Sequence, residues 1–478
     1  MPPSDRSWTV MPALAWFAGF VVVGLVATDD VQALADRLVQ KRETPTTPAG
    51  PIAPRATAIA ENDSDEPAAT APLPPPPPGS HDAGALTDAC SDGRDQRAAG
   101  SADGRRGAID PKCASWAMDG FYRAVDQAKH GALSRPVRVS WYGDSVVATD
   151  AIPGRLRSRL QAELGDGGPG FVYIVPPHRF NEHEAITRSQ SGTWYTHAIS
   201  TMQIPDGLYG PGGSTTESSD GRSVIKLVGG KVDHAELYYL TQPKGGTATV
   251  TADGSDVLAV DTSGDARAPG WAGAAIAGGA SKLEIATKGR SRLFGLDLEN
   301  ARGAVVDNLG VVSVNVKSFA NNDPDHWKAE LAHRGADLIM IMIGANEAEW
   351  LGPHDQDTKA YQAHYEQVLA IVRAARPDAA CLVVSPTDQA EAKDGAYPSR
   401  PVMPVLVAAQ AAAAKSQGCA FYSTYAWMGG RGSAAKWFAK GWVSSDFQHL
   451  SKKGADKLAD AVFDALMAGY QGYAARTK

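Results

Sequence analysis

At 478 residues, 43% of them hydrophobic, the chain has apolar material for about one to three domains and does not need disulfides to fold. Its formal net charge is −7, and both signs are mixed along the part that reads as folded. No basic stripe exists to neutralise phosphates, which excludes nucleic acid as a partner. Four cysteines, Cys90, Cys113, Cys381 and Cys419, include no Cys-x-x-Cys pair, so a zinc site is excluded, and no residue pattern calls for a metal or cofactor.

The first element in chain order runs from Trp8 to Thr28 without a charged residue. About 21 residues at a helical rise of 1.5 Å cover a hydrocarbon core of about 30 Å, so the segment can span a membrane. Arg6 precedes it, and Asp29 and Asp30 follow, which places the N-terminus in the cytoplasm and the remainder outside. Ala33-Leu34-Ala35 offers a small-x-small cleavage site, but the apolar run is longer than a signal-peptide core, so an uncleaved anchor facing the periplasm is the favoured reading. Cleavage would leave a periplasmic or secreted protein. A buried core helix would need an amphipathic face, and none is visible.

From Glu43 to about Gly84 the sequence is crowded with Pro, Ala, Thr and Ser and ends in the run Pro74 to Pro78. That composition favours extended polyproline II and reads as a disordered tether. An apolar run, Val137 to Tyr142, then leads through Gly143-Asp144-Ser145 into a periodic segment over Ile152 to Leu164: strand, turn, helix. Between about Gln190 and Asn300 the texture changes to Gly, Ser, Thr and Asp, and runs such as Leu283-Glu284-Ile285 and Phe294 to Leu298 alternate with period two. Turn signals at Gly229-Gly230, Gly245-Gly246, Asp253-Gly254 and Gly278-Gly279 fit an antiparallel β-sandwich. Beyond it, the apolar runs Leu338 to Ile343, Cys381 to Ser385 and Cys419 to Ser423 alternate with helical segments over Tyr361 to Ala375 and Pro404 to Ser416. Runs buried on both faces with helices between them predict a parallel sheet covered on both sides. A last helix from Lys452 to Tyr470 places Leu458, Val462 and Leu466 on one face and closes the domain.

The expected organisation is therefore a membrane segment over 1–30, a tether over 31–110, an α/β domain over 111–189 and 304–478, and a sandwich over 190–303 inserted into it. Chain proximity pairs Cys90 with Cys113 and Cys381 with Cys419; the alternative is four reduced, buried thiols.

A serine hydroxyl becomes a nucleophile at neutral pH only beside an imidazole that takes its proton and a carboxylate that orients the imidazole. Ser145 lies just past the carboxyl end of the first strand, where open α/β sheets place their sites, and its own amide can face an oxyanion. Alone, Gly-Asp-Ser also fits any surface turn. Asn346, in Ile343-Gly344-Ala345-Asn346, ends a later strand and can donate to the same oxyanion, although Asn also ends strands as a turn residue. Asp446 and His449 share one loop before the final helix at a spacing that presents carboxylate and imidazole together.

Taken together, these blocks resemble the SGNH/GDSL hydrolase superfamily, whose pattern is a Gly-Asp-Ser nucleophile block, a glycine block, a Gly-x-Asn block and an Asp-x-x-His block. The resemblance covers about Ser134 to Pro176 and about Val305 to Tyr470. It implies a flavodoxin-like three-layer fold and a serine esterase with a triad of Ser145, His449 and Asp446. It further implies oxyanion donors from Ser145, Asn346 and Gly310, the last in Asp307-Asn308-Leu309-Gly310. Many relatives carry a further glycine where this chain has Ser313. The inserted sandwich, with the stretches Gly418 to Tyr422 and Met428-Gly429-Gly430, resembles the branch acting on O-acetyl groups of cell-wall glycans, so the expected partner is an acylated glycan or another ester, met by a monomer. An O-acetyltransferase with the same triad, or a catalytically silent glycan-binding protein, are the rival readings.

Trp194, Tyr195, Trp271, Trp350 and Trp442 are candidates to stack on sugar rings, whereas Tyr238 and Tyr239 read as packing. Glu347 and Glu349 are expected to complement the dipole of a helix start, with paired-carboxylate glycosidase chemistry as the alternative. His354-Asp355 reads as a solvated loop.

Overall fold

The computed structural model of the chain describes residues 86–90, 96–98, 113, 115–352 and 355–477. The expected membrane segment, most of the tether and His354 lie outside the described residues. Among the described residues no helix is long and apolar enough to cross a membrane.

Five parallel strands form the centre, in the spatial order Ala304–Gly310, Val137–Gly143, Leu338–Met342, Ala380–Val384 and Ala420–Tyr422. Numbered along the chain, this is the order 2-1-3-4-5 of flavodoxin-like sheets, and the strand preceding Ser145 lies at its switch point. Each strand alternates between two buried faces, as Leu338–Met342 illustrates. Leu338, Met340 and Met342 pack with Phe121, Leu156, Leu458 and Val462 on one side. Ile339 and Ile341 pack with Trp327, Tyr365, Leu369 and Leu406 on the other. Burial on both faces is why these strands read as continuous apolar runs.

The stretch assigned to the tether is ordered at its end. Thr87–Ala89 pairs antiparallel with Ala420–Tyr422 and with Gln96–Ala98, capping the far edge of the sheet. The bonds Cys90–Cys113 and Cys381–Cys419 join the expected pairs, the first beside this edge and the second between two adjacent strands.

The insert is an antiparallel sandwich. Its five-stranded sheet contains Ile186–Ser191, Arg222–Leu227, Thr247–Ala252, Ser255–Asp261 and Lys282–Lys288. Its other sheet is built on Val232–Thr241, Ala268–Ala280 and Ser291–Glu299, and Gly170–Val172 joins it well before the expected start at 190. Ile225, Val250 and Ile285 from one sheet meet Leu237, Leu296 and Leu298 from the other in a single core. Asp253-Gly254 makes the tight turn its composition suggests, with φ values of 47° and 90°. Gly278-Gly279 does not turn the chain. It falls at an irregularity near the end of the strand Ala268–Ala280, where two left-handed glycines absorb the extra residues.

Insert and α/β layers share a buried charge cluster. Arg334, 2% exposed at its side chain, donates to Asp307 at 2.8 Å and pairs with Asp297 and Glu299 at 3.1 and 2.8 Å. Glu299 also takes Arg138 at 2.6 Å. Asp307 and Arg138 belong to the parallel sheet, Asp297 and Glu299 to the sandwich, so the guanidinium is the joint between them. Removing it leaves three buried carboxylates facing one another. Arg334→Ala should lower the unfolding free energy by roughly 3–5 kcal/mol, and Arg334→Lys should recover little of it because a point charge cannot bridge three acids as a fork does. Urea unfolding of the two variants checks this.

Candidate active site

Ser145 is the first residue of a short helix, Ser145–Ala148, entered directly from the strand Val137–Gly143. Asp144 caps that helix: one carboxylate oxygen accepts the Val146 amide at 3.0 Å and the other the Ala345 amide at 3.3 Å. The serine turn is thereby tied to the loop that carries Asn346. Burial pushes the Asp144 carboxyl up to about 6, against the lowering effect of these amides and of His449.

Ser145 Oγ lies 2.7 Å from His449 Nε2, and His449 Nδ1 lies 2.7 Å from Asp446 Oδ2. The other Asp446 oxygen accepts the backbone amides of Gln448 and His449, each at 3.0 Å. Burial alone would raise Asp446, but these amides and the imidazole outweigh it and hold the carboxyl below its usual range. Between them Phe447 takes a left-handed φ of 55°, which a bulky side chain adopts only where its surroundings hold it. Tyr397 stacks on its ring at 4.3 Å and Phe438 packs on it at 4.5 Å. Three side chains predicted from two distant parts of the sequence are thus in one hydrogen-bonded array.

Asn346 stands beside this array, and its amide nitrogen donates to Val314 O at 2.7 Å; among the described residues its second N–H makes no hydrogen bond. Gly310 is placed differently from expectation. Its amide already donates to Asn308 Oδ1 at 3.1 Å, and a Cβ there would meet Ala148 N at 2.4 Å. Glycine at 310 lets the serine helix lie against the sheet. Three residues on, Ser313 is exposed with φ 64°, and its N–H makes no hydrogen bond among the described residues. The glycine that many relatives carry at that place was the signal for this conformation.

Glu347 also departs from expectation. Glu349 is exposed as a dipole partner would be, whereas Glu347 is fully buried and accepts the Val316 amide at 2.7 Å. Burial pushes it up to about 7. Relative to an ordinary carboxyl near 4.5, the folded state holds this proton longer than the unfolded chain does. Its burial therefore costs stability as pH rises through that window.

Of the aromatic candidates, Trp350 and Tyr195 are exposed at 50% and 63%. Trp194 packs on the sandwich core, Trp271 stacks on His333 at 4.0 Å, and Trp442 packs against Trp437, so these three are structural. Tyr238 is buried packing as expected. Phe180, unremarked in the sequence, is 49% exposed on a loop bonded to Gly310 O through Asn181 and to Ala148 O through Glu182. Among the described residues, no group of His, Cys, Asp and Glu has the arrangement to hold a metal ion.

Residues 275–457 match the GDSL-like Lipase/Acylhydrolase family. That stretch contains Gly310, Asn346, Asp446 and His449; Ser145 lies upstream of it. No curated protein matches. Among solved structures, a peptidoglycan O-acetylesterase superposes with a TM-score of 0.63 at 23% identity, covering 73% of this chain and 95% of its own. A catalytic mutant of an acetylxylan esterase from Geobacillus stearothermophilus matches at 19% identity over 34% of this chain and 73% of its own, with a TM-score of 0.25. The first of these likenesses is one of fold, and the second carries no argument. The chain carries a GDSL-like lipase/acylhydrolase domain over residues 275–457 and is a serine esterase of the SGNH/GDSL type, built on an O-acetylesterase-like fold.

Proposed function

We propose that this protein removes O-acetyl groups from a cell-envelope or extracellular polysaccharide, with Ser145 as nucleophile, His449 as general base and Asp446 as its orienting carboxylate. The observation that carries the reading is the unbroken line of 2.7 Å contacts from Ser145 Oγ through the imidazole to Asp446. In this mechanism His449 Nε2 takes the hydroxyl proton as Oγ bonds to the acetyl carbon. The imidazolium returns that proton to the departing sugar oxygen, and water, activated the same way, releases acetate.

Charge on the carbonyl oxygen is met by the Ser145 amide and the free N–H of Asn346. In place of Gly310, whose amide is engaged, the third donor is the Ser313 amide. A sugar polymer is favoured by the exposed aromatics on segments joined to the array: Phe180, Trp350 one turn beyond Asn346, and Tyr397 against Phe447. The segment Trp8 to Thr28 suits an anchor that would hold the enzyme on the outer side of a membrane.

Acetate release from O-acetylated peptidoglycan and acetylxylan, with a chromogenic acetyl ester for rates, tests the reading. Ser145→Ala and His449→Ala should each lower kcat by at least about 10³-fold. Persistence of turnover in Ser145→Ala would remove Ser145 as nucleophile. Asn346→Ala should cost roughly 10²–10³ in kcat with a smaller change in KM. Because only the backbone of Ser313 is used, Ser313→Ala should stay within about three-fold of the parent; a larger loss would assign the role to its hydroxyl.

A further inference from the structure

Asn346 and Glu347 are consecutive, and both reach the same loop from one side. Asn346 donates to Val314 O and Glu347 accepts from Val316 N–H, each at 2.7 Å. A carbonyl and an amide two residues apart are thus clamped by adjacent side chains. At its start the loop is tied where Val311 N–H donates to Gly143 O at 2.9 Å. At its end Asn315 and Ser318 exchange reciprocal hydrogen bonds at 3.2 Å that cap the following 3-10 turn, Val316–Asn321. Ser313 lies between these ties, held left-handed and exposed.

Glu347 is costly where it stands. Its side chain is fully buried, and among the described residues Oε2 has no hydrogen-bond partner. The groups facing it are Asp144 from the serine turn, Lys317 from the loop, and Tyr361 and Tyr365 from the long helix Asp355–Ala375. Only Lys317 opposes its charge. An apolar side chain of the same volume would pack there without the desolvation cost. The hydrogen bond to Val316 is the contact with the neighbouring loop that such a replacement would lose.

We propose that Glu347 is a positioning residue of the oxyanion site: by holding Val316 it fixes the loop so that the Ser313 amide and the Asn346 side chain converge on one oxygen. This rests on the hydrolase reading above. Glu347 does not touch the acetyl group; it acts on turnover through the loop, so its loss should appear in kcat, and because Asn346 clamps the same loop the two losses should not simply multiply.

The test compares kcat and KM for a chromogenic acetyl ester across the full-length parent, Ser145→Ala, Glu347→Gln, Glu347→Met, Asn346→Ala and the double variant Asn346→Ala with Glu347→Met. Glu347→Met fills the same space without an acceptor, so the variant should fold, and its melting temperature reports whether it has. Its kcat should fall at least about ten-fold while KM moves less than about three-fold. Glu347→Gln, whose carbonyl can still accept from Val316, should stay within about three-fold of the parent. In the double variant the loss should fall clearly short of the product of the two single losses. Parent turnover in Glu347→Met, equal losses in the Met and Gln variants, or losses that multiply in the double variant would each overturn the proposal. Turnover in the parent that Ser145→Ala does not abolish would sink the hydrolase reading and the proposal together, whereas unaffected turnover in Glu347→Met sinks the proposal alone.

Discussion

The strand Val137–Gly143 lies between two parallel partners in a register that aligns Gly143 with Gly310 on one side and with Met342 on the other. The three chains therefore leave the sheet side by side, and the segments they enter carry Ser145, Ser313 and Asn346. A slip of one residue in either pairing would turn the buried face of a strand outward and part the three segments. Both faces of the sheet are packed, so the register is fixed by the whole core, and the site inherits its precision from strands it does not otherwise use. The fourth segment, with Asp446 and His449, comes from the far end of the chain. It is aimed by the aromatic clasp on Phe447 and by two glutamines, Gln389 and Gln448, that both donate to Ala345 O in the Asn346 loop.

Inserting a whole sandwich between the first and second strands of such a sheet would be ruinous if the insert were free to pull on them. It is not free. Gly170–Val172 leaves the first strand-helix unit and pairs at once with Ser291–Glu299, the strand that leads back to the sheet. Entry and exit are thus stitched together, and Arg334 binds acids from both sides of the junction. The excursion begins and ends at almost one place, so the second strand can pair beside the first as though the intervening residues were a short loop.

How much of this the sequence disclosed follows from what each feature is made of. The sheet was legible because burial on both faces leaves an unmistakable apolar run, and the sandwich because its strands alternate. The Ser145, Asn346 and Asp446-to-His449 blocks were legible because their chemistry demands particular residue types in particular places. Thr87–Ala89 was not, since three residues in an Ala- and Asp-rich stretch have no period to show, and their strand state comes from pairing with Ala420–Tyr422. The engagement of the Gly310 amide and the left-handed backbone of Ser313 were not legible, because a side-chain bond from Asn308 and a positive-φ serine are tertiary features that composition does not show. Glu347 was misread for a similar reason. A helix of four residues, Glu347–Trp350, is too short for periodicity to tell its buried side from its exposed one.

The central claim is that Ser145 carries the acetyl group between the ester and water. Mixing the full-length protein with excess acetyl ester, quenching in acid and mapping the acylated peptide by mass spectrometry tests it most directly. The account predicts an acetyl adduct on Ser145 that is present in the parent enzyme during turnover and disappears when the ester is exhausted. Acetate released with the adduct on another residue, or with none at any time, would contradict it.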